Sequence, residues 1–305
     1  MNNSIFIGKK NIWFAFSSIL IILGIVSMVR NTSLTGAPFN LGIDFTGGTN
    51  LILKVDAAEK VFLEKGEISA QVRQTVRQQI TEVLVSDNIQ HIQVTVADKR
   101  YFSVKSSVLN KETLDKVVSD LKDKLGGVTV LQSDFIGPTI GKDLQKQSVL
   151  ITVVAIFLLL IYITFRFEFW AALAAILALV HDTLITLGLS SLLHLEVDSA
   201  FVAAILTILG YSINDTIVIF DRIRENTRTL KDSFADIAEI SIRQTLTRSI
   251  FTVVTVLIVL AAIFFFGGSS LHDFTSVLLI GIFFGCYSSI FIASPLLVMF
   301  KKLND

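Results

Sequence analysis

Asp215 sits where an aspartate is costly. It lies in Gly210-Tyr211-Ser212-Ile213-Asn214-Asp215-Thr216-Ile217-Val218-Ile219-Phe220, an apolar run crossed by polar residues. Ionisable side chains inside a membrane span are rare, expensive and tied to ion or substrate paths. Helical spacing groups Tyr211, Ser212 and Asn214 with Asp215, and such a polar face is expected to look into a helix bundle or a water-filled cleft. A low dielectric favours the neutral form of a carboxyl, and a nearby cation favours the charged form. A carboxyl that moves between two such settings takes up a proton on one side and releases it on the other. The plainer alternative is a polar contact between helices.

Two further groups could join that chemistry. Arg248, in Gln244-Thr245-Leu246-Thr247-Arg248-Ser249-Ile250, opens the fifth apolar stretch and is the obvious counter-charge. An arginine there could equally be an anchor snorkelling to the headgroups. His181-Asp182 interrupts the third apolar stretch. Neighbouring residues point in different directions around a helix, so one of the two is expected to face the cleft, unless both serve helix packing. No His-Glu-x-x-His, Gly-x-Ser-x-Gly or paired-aspartate protease motif is present. The expectation is therefore no enzyme, no catalytic residue, no metal site and no bound cofactor. Cys286 stands alone, so no disulfide framework or thiol metal site arises.

The elements that must hold these groups follow from composition. The chain is 52% hydrophobic and 17% charged, and its charges crowd into residues 30–147. A soluble protein carries about a quarter charged residues. Two regimes in one chain point to an aqueous domain and a membrane domain. The formal net charge of zero implies no nucleic-acid partner.

A bilayer core needs about 20 apolar residues as helix. Six stretches qualify, near 12–29, 148–165, 169–192, 199–220, 249–268 and 274–299. The first follows Lys9 and Lys10 but offers no small-x-small cleavage site at Ser27-Met28-Val29-Arg30, so it is expected to be a retained anchor. Lys9, Lys10, Arg166, the basic residues from Arg222 to Arg248, Lys301 and Lys302 all fall on one side of a six-span layout. The short loops His194–Asp198 and Gly267–Asp273 contain no lysine or arginine. Positive charge stays inside. Both termini are therefore expected in the cytoplasm, with residues 31–147 outside. Residues 148–300 then hold spans two to six, and 301–305 form a tail. Within them, 222–247 carries Phe234, Ile237 and Ile240 against Asp232, Asp236 and Glu239, which predicts an amphipathic helix on the membrane surface. Gly281 and Gly285 make a small-xxx-small face, and Pro295 is expected to bend the last span.

Residues 31–147 carry soluble-domain signals. A strand is predicted over 49–56 and a helix over 69–84, capped by Ser69, with Val72, Val76, Ile80, Val83 and Leu84 on one face. Ile92, Val94 and Val96, followed by Tyr101–Val104, predict a hairpin. Asn110 is expected to cap a helix over 111–125 that stops at Gly126-Gly127, and Val128–Phe135 predicts a last strand. That order, β-α-β-β-α-β, is ferredoxin-like. His91, the domain's only histidine, is expected on the surface. The fold class is thus an α-helical polytopic membrane protein with an inserted α+β ferredoxin-like domain.

Three ordered motifs resemble the SecD/SecF family of bacterial protein-export membrane proteins, on its SecF side. They are Gly42-Ile43-Asp44-Phe45-Thr46-Gly47-Gly48 after the first span, His181-Asp182 in the third, and Gly210–Thr216 running into Phe220-Asp221-Arg222-Ile223-Arg224-Glu225-Asn226. Gln244–Arg248 adds a weaker match. The resemblance covers essentially the whole chain and implies a bundle of the resistance–nodulation–division type. It implies a SecD partner with a second six-span unit, and assistance to the Sec channel (SecY, SecE and SecG, with YajC) late in secretion. It also implies work on the translocating polypeptide, driven by the proton-motive force, with sodium as the other possible ion. By motif position Asp215 would be the proton-responsive aspartate and Arg248 its functional arginine. Gly42, Asp44, Phe45, Thr46, Gly47 and Gly48 would shape the backbone at the base of the outward domain. The location implied is the bacterial inner membrane. The alternative is a small-molecule or lipid exporter of the same superfamily, although such exporters usually join two six-span units in one long chain.

Overall fold

The computed structural model describes residues 5–90, 92–97, 100–268 and 271–304, so His91 lies outside the described residues. In chain order the elements are α1 (Lys10–Thr35), β1 (Asn40–Leu41), α2 (Ile43–Thr46), β2 (Gly48–Val55), α3 (Asp56–Lys65), α4 (Ala70–Ser86), β3 (Gln93–Ala97), β4 (Tyr101–Ser106) and α5 (Lys111–Leu125). There follow β5 (Val128–Ile136), α6 (Pro138–Arg166), α7 (Phe169–Leu192), β6 (Glu196–Val197), α8 (Ser199–Thr229), α9 (Phe234–Phe266), α10 (His272–Ser288), a π-helical turn (Ser289–Ala293) and α11 (Ser294–Asn304). The chain divides into two compact units, one made mainly of residues 41–149 and the other of the remaining helices.

Among the described residues six helices are long and apolar enough to cross a membrane: α1, α6, α7, α8, α9, and the run His272–Leu303 that includes α10. Helix is the form such segments must take, because lipid offers the backbone no hydrogen-bond partners. The third, fourth and sixth of these are the inner helices, half or more of their apolar window being buried. The second and fifth leave Phe157, Leu158, Phe251 and Ile258 exposed, as a lipid-facing surface requires.

Close helix contacts rest on small residues. Ser17, Gly24, Ser27 and Asn31 form the buried stripe of α1. A Cβ on Gly24 would lie 2.6 Å from the Gly188 Cα of α7, and one on Gly188 would lie 2.7 Å from the Gly24 Cα. Above this crossing, Asn31 Nδ2 donates to the Ser191 carbonyl and Oγ, each at 3.0 Å. Gly188→Val should therefore force the two backbones apart at a cost of about 1–3 kcal/mol. The check is thermal unfolding of the purified chain in detergent; an unchanged midpoint would show that the crossing is not a tight one.

The segment 222–247 differs from its predicted form. No separate surface helix exists there. Helix α8 continues to Thr229, the chain turns through Leu230–Ser233, and α9 runs on from Phe234 into the span. Ser233 caps α9, its Oγ accepting from Asp236 N at 3.2 Å. Ala238 and Ile242 pack into the bundle core, Ile237 is buried, and Glu239, placed on the polar side by periodicity, is buried too. Polar bonds hold the extended ends together: Arg166 Nη2 to Asp221 Oδ2 at 2.5 Å, Arg222 Nε to Gln244 Oε1 at 2.6 Å, and Asn226 Nδ2 to Ser241 Oγ at 2.8 Å.

In the smaller unit the sheet order is β3-β4-β2-β5, antiparallel throughout, which is the ferredoxin-like arrangement. Its core joins Leu51, Leu53, Phe102 and Val104 of the sheet to Val76, Ile80 and Leu84 of α4 and Val117 and Leu121 of α5. Ser69 Oγ accepts from Val72 N and Asn110 Oδ1 from Thr113 N, so both caps lie where the sequence puts them. Gly126 closes α5 at φ 71°. The added feature is α3, a ten-residue helix between β2 and α4.

Candidate functional site

The polar residues of α7, α8 and α10 meet inside the bundle, and their centre is Asp182. This carboxylate is fully buried. Its Oδ2 accepts from Ser212 Oγ at 2.5 Å and from Ser288 Oγ at 2.7 Å, while Oδ1 lies 2.9 Å from His181 Nδ1. Three helices are thus tied at one side chain. Both His181 and Asp182 are buried, so neither points away from the bundle. The His181 ring stacks on Tyr287 at 6.2 Å between centroids. Tyr287 Oη donates to the Trp13 carbonyl at 3.0 Å and receives Ser17 Oγ at 3.3 Å.

Asp215 lies one turn along α8 from Ser212 and is also buried. Its neighbours are the Cys286 thiol of α10 and the Ser249 hydroxyl of α9, with the Arg248 charge near enough to act on it. Arg248 itself is exposed, and no ion pair within 4.0 Å joins it to Asp215 among the described residues. The expected counter-charge is therefore felt across space rather than by contact.

The polar run of α8 does not share one face. At about 100° per residue, Asn214, Tyr211, Asp215 and Ser212 follow one another over roughly 160° of the helix circumference. Asn214 is exposed and Tyr211 is 44% exposed, whereas Asp215 and Ser212 are buried. Asp215 occupies the border between the exposed and the buried sides. The seam behind it is polar as well: Thr216 Oγ1 meets Ser289 Oγ at 2.8 Å, and Ser289 Oγ reaches the Ser212 carbonyl at 3.2 Å.

Helix α10 comes close to α8 because its small residues face that helix. A Cβ on Gly285 would lie 3.0 Å from Ser212 Cβ, and one on Gly281 would collide with Ile208. The helix then loosens into the π-helical turn Ser289–Ala293, where Ser294 Oγ bonds the Ser289 carbonyl at 2.9 Å. The irregularity predicted from Pro295 thus begins more than a turn earlier, beside the polar seam. Such turns inside helices gather at functional sites.

Sequence reasoning passed over Ser288, Ser289 and Tyr287, and it placed Thr216 only within the family motif and Glu239 only on the polar side of a surface helix. The signal available was the pair Ser288-Ser289 at the end of an otherwise apolar run. The Gly42–Gly48 motif belongs to the other unit. Gly42 starts the short helix α2, Phe45 is buried, and Gly47 and Gly48 take φ of 69° and 146°. A Cβ on Gly47 would stand 2.9 Å from the Pro138 Cα, and one on Gly48 2.6 Å from the Ser106 carbonyl oxygen. These positions admit only glycine, on both conformation and space. Asp44 and Thr46 complete α2, the Thr46 Oγ1 donating to the Gly42 carbonyl at 3.1 Å.

Residues 116–303 match the family described as protein export membrane protein SecD/SecF, C-terminal, and residues 32–59 match the SecD/SecF GG motif. The chain is 37% identical over 299 residues to the protein translocase subunit SecF of Sebaldella termitidis, covering 97% of this chain and 91% of that one. It is 40% identical over 298 residues to the SecF subunit of Acidaminococcus fermentans, covering 95% of each. A crystal structure of SecDF from Thermus thermophilus, described as a translocon-associated membrane protein, aligns with a TM-score of 0.82 at 35% identity. That alignment covers 98% of this chain and 38% of the solved one, so this chain spans little more than a third of that protein. A SecDF crystal structure in a super-membrane-facing form aligns with a TM-score of 0.67 at 34% identity.

Proposed function

The chain belongs to the SecD/SecF family of protein-export membrane proteins, and on that premise we propose that it is the SecF-type subunit of the Sec export machinery. It pairs with a SecD-type subunit and associates with the SecY, SecE and SecG channel and with YajC. It uses the proton-motive force to promote the late stages of polypeptide translocation across the bacterial inner membrane. Both termini lie in the cytoplasm, and the ferredoxin-like unit lies outside. It is a transporter component and not an enzyme.

One observation carries the coupling to an ion gradient: Asp215 is buried at the border of an exposed polar strip, with Ser249 and Cys286 beside it and the Arg248 charge within reach. Protonation removes the attraction between Asp215 and that charge, the helices shift, and release of the proton resets them. At a potential of about 150 mV one charge crossing supplies roughly 3.5 kcal/mol. A few kcal/mol are enough to move a two-state equilibrium.

The partner follows from the same strip. Tyr211, Asn214 and Arg248 are exposed on the outer surface of the bundle at span positions. Polar groups do not stay open to lipid, so a second membrane unit with polar groups of its own covers them. The solved SecDF chain, of which this chain matches 38%, supports the same reading, because most of that protein lies outside the matched part.

The test is reconstitution of this chain with a SecD-type partner and the channel in vesicles, following protection of a secreted polypeptide from protease. An imposed proton gradient should raise protection, and an equal sodium gradient should not. If neither gradient changes it, the energy-coupled role is wrong. If sodium alone does, the ion is sodium.

A further inference from the structure

We propose that the His181–Asp182 pair is a second proton-holding site of the bundle, distinct from Asp215, with a water molecule as the ligand of His181 Nε2. The inference deepens the proton-coupled reading above and rests on it.

The argument is one of hydrogen-bond inventory. His181 and Asp182 are each more than nine-tenths buried, and they face each other at 2.9 Å through Nδ1 and Oδ1. The opposite ring nitrogen, Nε2, is buried and meets no protein partner among the described residues. Three protonation states can be written for the pair. In the first, the carboxylate is charged and Nδ1–H donates to it, which leaves Nε2 a bare acceptor and a net negative charge in a low-dielectric interior. In the second, both ring nitrogens carry protons and the charges cancel, but Nε2–H has no acceptor. In the third, the protonated carboxyl donates to Nδ1, and again Nε2–H has no acceptor. No state satisfies the pair from protein groups alone. A water at Nε2 can either donate or accept, and so serves all three.

The surroundings keep these states in balance. Two hydroxyls, Ser212 from α8 and Ser288 from α10, donate to Oδ2 and support the charged carboxylate. No lysine or arginine pairs with Asp182 among the described residues, so nothing fixes it in that form. The other groups nearby are Tyr287, whose ring stacks on His181, and Ser17 of α1, which reaches the tyrosine hydroxyl. Asp215 and Cys286 lie on the next turn of the α8–α10 seam. Taking up one proton changes the pair from an anion to a neutral unit. A buried charge that appears or disappears where three helices are tied together is a direct way to alter their packing. The π-helical turn that begins at Ser289, directly after Ser288, supplies the pliable element.

The experiment compares the wild-type chain with Asp182→Asn and, in parallel, Asp215→Asn, each reconstituted with its SecD-type partner. Asparagine at 182 still accepts from both serines, so a purely structural role survives the change. Asp182→Asn should lower gradient-driven protection by about tenfold, within the range of coupling between sites. It should also remove a carboxyl band that titrates in the wild-type infrared difference spectrum. Retained stimulation, or a band that persists in the variant, overturns the inference. If Asp215→Asn loses stimulation while Asp182→Asn keeps it, this site fails and the Asp215 reading stands. The reverse result leaves this site and removes Asp215. Should Asp182→Asn not fold, nitrogen-15 spectra of the wild-type imidazoles against His181→Gln decide the matter. A His181 ring that never changes protonation, together with a carboxyl spectrum that does not titrate, overturns the proposal.

Discussion

Asp215→Asn is expected to abolish the contribution of the ion gradient to export while leaving the chain folded, inserted and bound to its partner. Asparagine has nearly the volume of aspartate and keeps an oxygen that can face Ser249 and Cys286, so packing at the seam of α8, α9 and α10 changes little. What it loses is the proton. The gradient is worth roughly 3.5 kcal/mol per charge at about 150 mV, which corresponds to a factor of a few hundred in an equilibrium. With no titrating group at the border between the buried and exposed sides of α8, none of that free energy reaches the helices. Stimulation by the gradient should fall to the level of a de-energised membrane. The measurement is the protease-protection assay with and without an imposed proton gradient, paired with thermal unfolding and co-purification to confirm an intact complex. A variant that still responds to the gradient would remove Asp215 from the coupling step and leave its burial a matter of packing.

The six spans were legible because lipid leaves a chain so few options. A segment of about 20 apolar residues must be helix there, whatever its neighbours do. The ferredoxin-like unit was legible at its capped ends, since Ser69 and Asn110 each declare where a helix begins. Helix α3 was not. Asp56–Lys65 has little apolar patterning, and among its described side chains only Ala58 is fully buried while Phe62 packs against the core from a part-exposed position. The polar cluster was half legible. Residue types singled out Asp215, Arg248, His181 and Asp182, but spacing alone merged Tyr211, Ser212, Asn214 and Asp215 into one face. A strip about 160° wide is not one face, and which part of it is covered depends on where α9 and α10 pack. The central place of Asp182 depends on Ser288, whose contribution is visible only once α10 lies against α7 and α8. In 222–247 the period was right and the surface was wrong. Phe234 and Ile237 are packed or buried but Ile240 is only half-buried, and the side that joins the bundle core is Ala235, Ala238, Ile242 and Leu246, along which α9 continues without a break.

Glu239→Ala is expected to be among the most destabilising single changes outside the tightly packed glycines. The first residues of α1 have backbone N–H groups with no helical acceptor, as at every helix start. Here one side chain from α9 serves the residues before that start. Glu239 Oε1 accepts from Ile5 N at 3.0 Å, and Oε2 accepts from Phe6 N at 3.1 Å and Ile7 N at 3.0 Å. Arg243 Nη2 completes the carboxylate at 3.0 Å and places its guanidinium 5.7 Å from the centre of the Phe6 ring. Phe6 and Ile7 are buried, so water cannot replace the lost acceptor without opening the contact. A buried donor left unpaired costs about 1–3 kcal/mol. Two such donors put the loss at about 2–6 kcal/mol, which the segment can lower only by peeling away. Glu239→Gln retains one accepting oxygen but turns an amide NH₂ towards an N–H group, so it should fall between alanine and wild type. The measurements are thermal unfolding in detergent and the rate of proteolysis within residues 5–9. A Glu239→Ala chain that melts like wild type and is cut no faster would show that this contact does not hold the segment. The consequence extends beyond stability, because α9 also carries Arg248 nine residues further on. A helix whose start is clasped to the segment before α1 cannot shift at Arg248 without pulling on α1 as well. Loss of Glu239 should therefore weaken the gradient's effect on export even at temperatures where the chain remains folded.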